Sequence, residues 1–243
     1  MIMSSEIFGY ASIPVIAIVI GGIIGSIQQP STAFNSTVLH FAAGVVFSVA
    51  TVELLPDIIK KHAPLEVAIG FGLGTAAMLL VKFLAEKLAD ESDTTIDSKV
   101  LPIGMLVALA IDLAIDGLLL GVGFAAGNKE GILLSMALGV EVFSLGLAVG
   151  LTCKKRDILL QNSLIILLGL GMTSFVGSMI GTTFLINLSR ELLELVLSFG
   201  LAALLFLVTE ELLTEAHEEE DTLLQTSAFF GGFLLFLIIA MVV

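Results

Sequence analysis

Eight long apolar runs follow one another along this chain, at roughly residues 7–27, 37–59, 65–89, 101–127, 130–152, 160–187, 191–217 and 222–243. A helix needs about 20 predominantly apolar residues to cross the hydrocarbon of a bilayer, and each run is of that length. Over the whole chain 57% of residues are hydrophobic and 14% charged, with a mean hydropathy of +1.10, far from the range of soluble domains. The fold class expected is therefore all-α: a polytopic membrane protein of eight transmembrane helices forming a single domain over 1–243. No soluble domain or long linker interrupts it, so function must lie in the helices and their short loops. The first run has no Lys or Arg before it and only Glu6 as an early charge, so it is read as a span and not as a cleaved signal peptide. The single cysteine, Cys153, excludes an internal disulfide and any cysteine-cluster metal site.

The net charge of −13 gives no foothold for a nucleic-acid partner, and much of it comes from acids inside or beside apolar spans. Spans four and five are the clearest case. The first reads LPIGMLVALAIDLAIDGLLLGVGFAAG and the second GILLSMALGVEVFSLGLAVGLT. Asp112 and Asp116 share one helix face a turn apart, and Asp112 and Glu141 fall close to the membrane midplane. An intramembrane carboxylate costs roughly 2.5 to 3.5 kcal/mol even on insertion scales, so it is seldom present without a partner, a cavity or an ion. The alternative is a packing network bonded to Ser or Thr. An acid followed by Gly-Leu and Gly recurs as Asp112, Gly117, Leu118, Gly121 and as Glu141, Gly146, Leu147, Gly150, 29 residues apart. Helices joined by so short a loop run antiparallel, and their glycines permit close approach.

A second repeat spans the flanks. IGGIIGS, from Ile20 to Ser26, is echoed by VGSMIGT, from Val176 to Thr182. Glu53-Leu54-Leu55-Pro56-Asp57 is echoed by Glu211-Leu212-Leu213-Thr214-Glu215. Equivalent helices five spans apart point in opposite directions. The expected plan is a 3+2+3 arrangement: 7–89, a central pair over 101–152, and 160–243 inverted on the first unit. That is the plan of many secondary transporters with midplane sites. Loop Lys and Arg counts place both termini outside, with Lys82, Lys87, Lys99, Lys154, Lys155 and Arg156 inside. Glu53 and Asp57 then guard the outer face, and Glu210, Glu211, Glu215 and His217 the cytosolic face, ahead of an EEED run at 218–221 that also reads as a solvated loop. Lys82 and Lys87 are expected to snorkel to the interface, and His40 to approach His217.

At this point the chain resembles the ZIP (Zrt/Irt-like) family of divalent metal transporters. FAAGVVFSVATVELLPD is similar to that family's second helix and LVTEELLTEAH to its seventh, with Glu210 and Glu211 at acidic or His/Glu positions. The family's fourth-helix pattern, roughly HNxPEG, is matched by DLAIDG: Asp112 for the metal-binding His, Leu113 for Asn, Asp116 for Glu, Gly117 kept. In its fifth helix EVFSLG puts Glu141 first, Val142 for Asn or Asp, and Leu145 where an acid is usual. Ser174 stands at the sixth-helix acid. Ile115 and Ser144 replace helix-breaking prolines, so bends are expected to be reduced. The resemblance implies a divergent member with one site of Asp112, Asp116 and Glu141.

The cargo expected is a divalent metal ion of the zinc, iron or manganese class, with no organic cofactor. An all-carboxylate site favours harder cations, since oxygen suits Mn²⁺, Mg²⁺ and Ca²⁺ whereas imidazole suits Zn²⁺. Clustered carboxylates repel, so metal entry is expected to displace protons. Besides divalent ions, the partner expected is the lipid bilayer of the cell membrane, with a homodimer left open. A transport-inactive sensor or structural subunit is the alternative. An intramembrane metallohydrolase is set aside because no span carries His in its middle.

Overall fold

The computed structural model describes residues 3–28, 30–92, 101–185, 188–217 and 222–242. Among the described residues eight helices are long and apolar enough to cross a membrane. They are α1 (Met3–Gln28), α2 (Thr32–Lys61), α3 (Pro64–Ser92), α4 (Ile103–Ala126), α5 (Asn128–Lys155), α6 (Leu160–Leu185), α7 (Glu191–Ala216) and α8 (Leu223–Val242). Among the described residues there is no strand. Most ends lie within a few residues of the sequence expectation, but α2 begins earlier, at Thr32. Ser31 explains this: its Oγ accepts the Phe34 N–H at 3.2 Å and caps the helix. The α2–α3 joint turns at His62, whose φ of 53° is left-handed, and Pro64 opens α3, where its missing N–H costs nothing. α4 and α5 are each one unbroken helix, as expected where Ile115 and Ser144 stand instead of proline.

α2 and α7 each contain one π-helical turn. In α2 it covers Ala50–Leu54, closed by the Leu55 N–H to the Ala50 carbonyl. In α7 it covers Leu207–Leu212, closed by the Leu213 N–H to the Val208 carbonyl. Pro56 follows directly in α2 and supplies no donor to the wider turn. Thr214 stands at the same place in α7, and its hydroxyl donates to the Thr209 carbonyl at 3.2 Å. Each π turn carries an acid, Glu53 in one and Glu210 and Glu211 in the other.

The helices pack as close pairs, α1 with α5, α4 with α6, α2 with α8 and α3 with α7. Small residues set the closest approaches. A Cβ added to Gly21 would sit 2.2 Å from the Phe143 carbonyl oxygen, and one added to Gly25 2.2 Å from that of Leu147. Both contacts advance four residues together, so α1 and α5 run parallel. On the second pair a Cβ on Gly117 would meet the Ser174 carbonyl oxygen at 2.1 Å, and one on Gly177 that of Ala114 at 2.4 Å. Without a hydrophobic force between helices in lipid, such backbone contact is the main source of association.

Burial sorts the helices into layers. Of the most apolar stretch in each, 67% is buried in α5 and 61% in both α2 and α7, against 17% in α3 and 22% in α8. α4 buries 33%, no more than α1. The interior is therefore built on α2, α5 and α7, with α4 contributing one face, that of Leu113, Asp116, Gly117 and Leu120. Many large apolar side chains on α3, α6 and α8, among them Leu80, Phe83, Ile165, Phe184, Leu234 and Met241, are exposed, the arrangement a lipid environment requires.

Candidate functional site

The acids at the middle of α4 and α5 meet the end of α7. A small cavity of about 50 Å³, large enough for a few water molecules, is lined by Asp112, Glu141, Ser144, Glu211 and Glu215, closed by Leu39, Leu145, Leu207 and Leu212. The Asp112 and Glu211 carboxyl groups face the same cavity from either side of the α4–α7 boundary. Glu215 stands one turn farther along α7, at the cavity mouth. Asp116 lies a turn deeper on α4, 2% exposed, with Glu141, Asp112 and Glu211 as its acidic neighbours.

Two of these groups are held in a state that packing alone does not account for. Asp116 Oδ2 and Glu141 Oε2 are buried without any hydrogen-bond partner. The nearby hydroxyl is turned elsewhere, since Ser144 Oγ donates to the Glu141 carbonyl at 2.6 Å. An unsatisfied buried polar group costs about 1 to 3 kcal/mol, more if charged. Ser or Thr bonds of the packing-network kind would have removed that cost. The donor set facing the cavity is oxygen only, which suits hard divalent cations. Among the described residues no three His, Cys, Asp or Glu side chains stand close enough together to hold one metal ion. The acids line the space without closing a coordination shell around it.

The outlying acids are placed differently. Glu53, in the π turn of α2, has a side chain 10% exposed and lies 3.6 Å from Lys129 Nζ. Its acidic neighbours are Glu130 and Asp57, and Asp57 is itself paired with Lys60 at 3.2 Å. Glu210 pairs with Lys82 of α3 at 2.9 Å. Lys82 also lies 5.9 Å from the centre of the Phe206 ring, so its ammonium rests against α7. His217 meets His40 with ring centres 5.1 Å apart. Nδ1 of His40 bonds the Ser36 carbonyl at 2.8 Å, and that of His217 bonds the Leu213 carbonyl. The EEED run at 218–221 lies outside the described residues.

Glu211 is the residue whose place the sequence reading missed. By sequence it counts among the cytosolic acids, yet it lines the cavity with Asp112. One signal pointed there: Ala216 ends the helix five residues later, which at about 1.5 Å per residue sets Glu211 some 8 Å inside that end. The contact of Lys129 with Glu53 carries no sequence signal. No family model and no curated protein matches this chain.

Proposed function

We propose that this chain carries a divalent metal cation, of the zinc, iron or manganese class, across the cell membrane through the acidic cavity of Asp112, Glu141, Glu211 and Glu215. The observation that carries the reading is the pair of unpartnered carboxylate oxygens on Asp116 and Glu141 beside that cavity. A cation arriving there satisfies groups that nothing else in the core satisfies. Glu215 leads an ion into the cavity, Asp112, Glu211 and Glu141 face it there, and Asp116 supplies charge from the next turn. Oxygen ligands alone rank Mn²⁺ ahead of Zn²⁺.

An inverted 3+2+3 plan gives this site its route. Its support is the agreement between two independent correspondences, α1 with α6 and α4 with α5. Gly21 contacts the Phe143 carbonyl and Gly177, 156 residues later, contacts that of Ala114, 29 residues before Phe143. Gly146 contacts the Ile18 carbonyl, and Gly117 that of Ser174, with the same two offsets. The π turns add a third correspondence, because the bonds Leu55–Ala50 and Leu213–Val208 are 158 residues apart at both ends. Both termini outside, as the loop charges favour, puts Glu53 at the external mouth and Glu215 at the cytosolic one. The similarity to ZIP transporters in span two and span seven points the same way, and the altered fourth and fifth helices make this a divergent member.

The second reading, a metal sensor or subunit that does not transport, is favoured by the absence of a closed three-ligand shell among the described residues. Uptake of Mn²⁺, Zn²⁺ and Fe²⁺ into proteoliposomes separates the two. Uptake abolished by Asp112→Asn is the expected result, and no uptake of any ion by the wild type overturns transport.

A further inference from the structure

Lys129 occupies an unfavourable place for a cation. It lies in the first turn of α5, where the exposed N–H groups and the helix dipole repel positive charge. Its neighbours account for it. Nζ lies 3.6 Å from Glu53 Oε1 in the π turn of α2 and donates to the Ala240 carbonyl at 2.6 Å near the end of α8. One ammonium therefore joins α5, α2 and α8 at the same end of the bundle. At the opposite end a lysine of α3, Lys82, is engaged differently. Lys82 binds Glu210 and leaves Glu211 facing the cavity and Asp112. The α2 π turn has one acid where α7 has two, and Lys129 takes that one.

We propose that Lys129 is a tethered cation that holds the Glu53 end of the pathway shut, standing on the carboxylate where a cargo ion would first bind. Its release from Glu53 frees both the acid and the α2–α5–α8 contact, so opening at this end and capture of an ion there are one event. Lys129 is a positioning residue, acting through Glu53. The consequence for transport rests on the function proposed above, whereas the closure itself does not.

The test uses the full chain with Cys153→Ser and one reporter thiol, read by the rate of maleimide labelling. Ala50→Cys reports the Glu53 end, since Ala50 is fully buried in the π turn beside Glu53. Val208→Cys, buried at the corresponding place in α7, reports the other end. Lys129→Gln and Glu53→Gln should each speed labelling of the Ala50 reporter about two- to fivefold, the range expected for losing a half-exposed ion pair. Lys129→Arg should keep the slow rate, and the Val208 reporter should not speed up. An unchanged Ala50 rate in Lys129→Gln, or equal acceleration of both reporters as from general loosening, overturns the proposal. If labelling responds as expected but no variant moves Mn²⁺ or Zn²⁺ into liposomes, the closure stands and the transport reading fails.

Discussion

Asp112, from the middle of α4, and Glu211, from the π turn of α7, line one small cavity as neighbouring carboxyl groups. Two acids lining one cavity form a single unit that any dication entering it would meet. It also ties the site to the helix whose backbone departs from regular α-geometry. π turns recur at functional sites because the extra residue re-aims side chains that a regular helix would point elsewhere.

Asp112→Asn tests whether this unit is a binding site or a packing device. The amide keeps the size of the acid. In a binding site, stabilisation by Mn²⁺ should disappear while the metal-free melting temperature holds or rises slightly, because one acid has left a crowded interior. In a packing network the melting temperature should fall and added metal should make no difference. Thermal unfolding of both proteins with and without Mn²⁺ and Zn²⁺ gives the answer.

Glu211→Gln should behave like a change at the cavity and not at an entrance. Transport is expected to fall at saturating metal as well as at low metal, because Glu211 lines the cavity beside Asp112. Glu53→Gln, at the other end, should mainly change the metal concentration needed for half-maximal uptake. Concentration series on the two variants separate these outcomes, and identical profiles would contradict the distinction.

The glycine contacts make a prediction independent of any cargo. Gly25→Ala places a Cβ 2.2 Å from the Leu147 carbonyl oxygen, backbone that cannot rotate away, so α1 and α5 must move apart. A cost of about 1 to 3 kcal/mol, typical of overpacking, should lower the melting temperature by several degrees. Gly72→Ala is the control, since no atom lies within 4 Å of the added methyl. Alanine's better helix propensity should leave that variant neutral or slightly more stable.

The orientation is checked with epitope tags. With both termini outside, tags at residues 1 and 243 should bind antibody on intact cells. Labelling that requires permeabilisation would invert the pathway, placing Glu53 at the cytosolic mouth.

The helices themselves were legible in the chain because each depends on a local property. Apolar runs of sufficient length fix the spans, and the absence of proline within α4 and α5 leaves both unbroken. The acids of α4 and α5 were also marked by sequence alone, since an acid in the middle of an apolar run needs no further context to stand out. What the sequence could not decide was which of the other acids join them. That depends on how far α7 slides along α4 and which way its π turn faces, quantities set by close packing between helices distant in the chain. Glu211 and Glu53 occupy equivalent places in two similar motifs. Tertiary packing sends the first to Asp112 and gives the second to Lys129. The difference arises because Lys82 of α3 finds a second acid, Glu210, to bind, while Lys129 of α5 binds Glu53 itself and the Ala240 carbonyl.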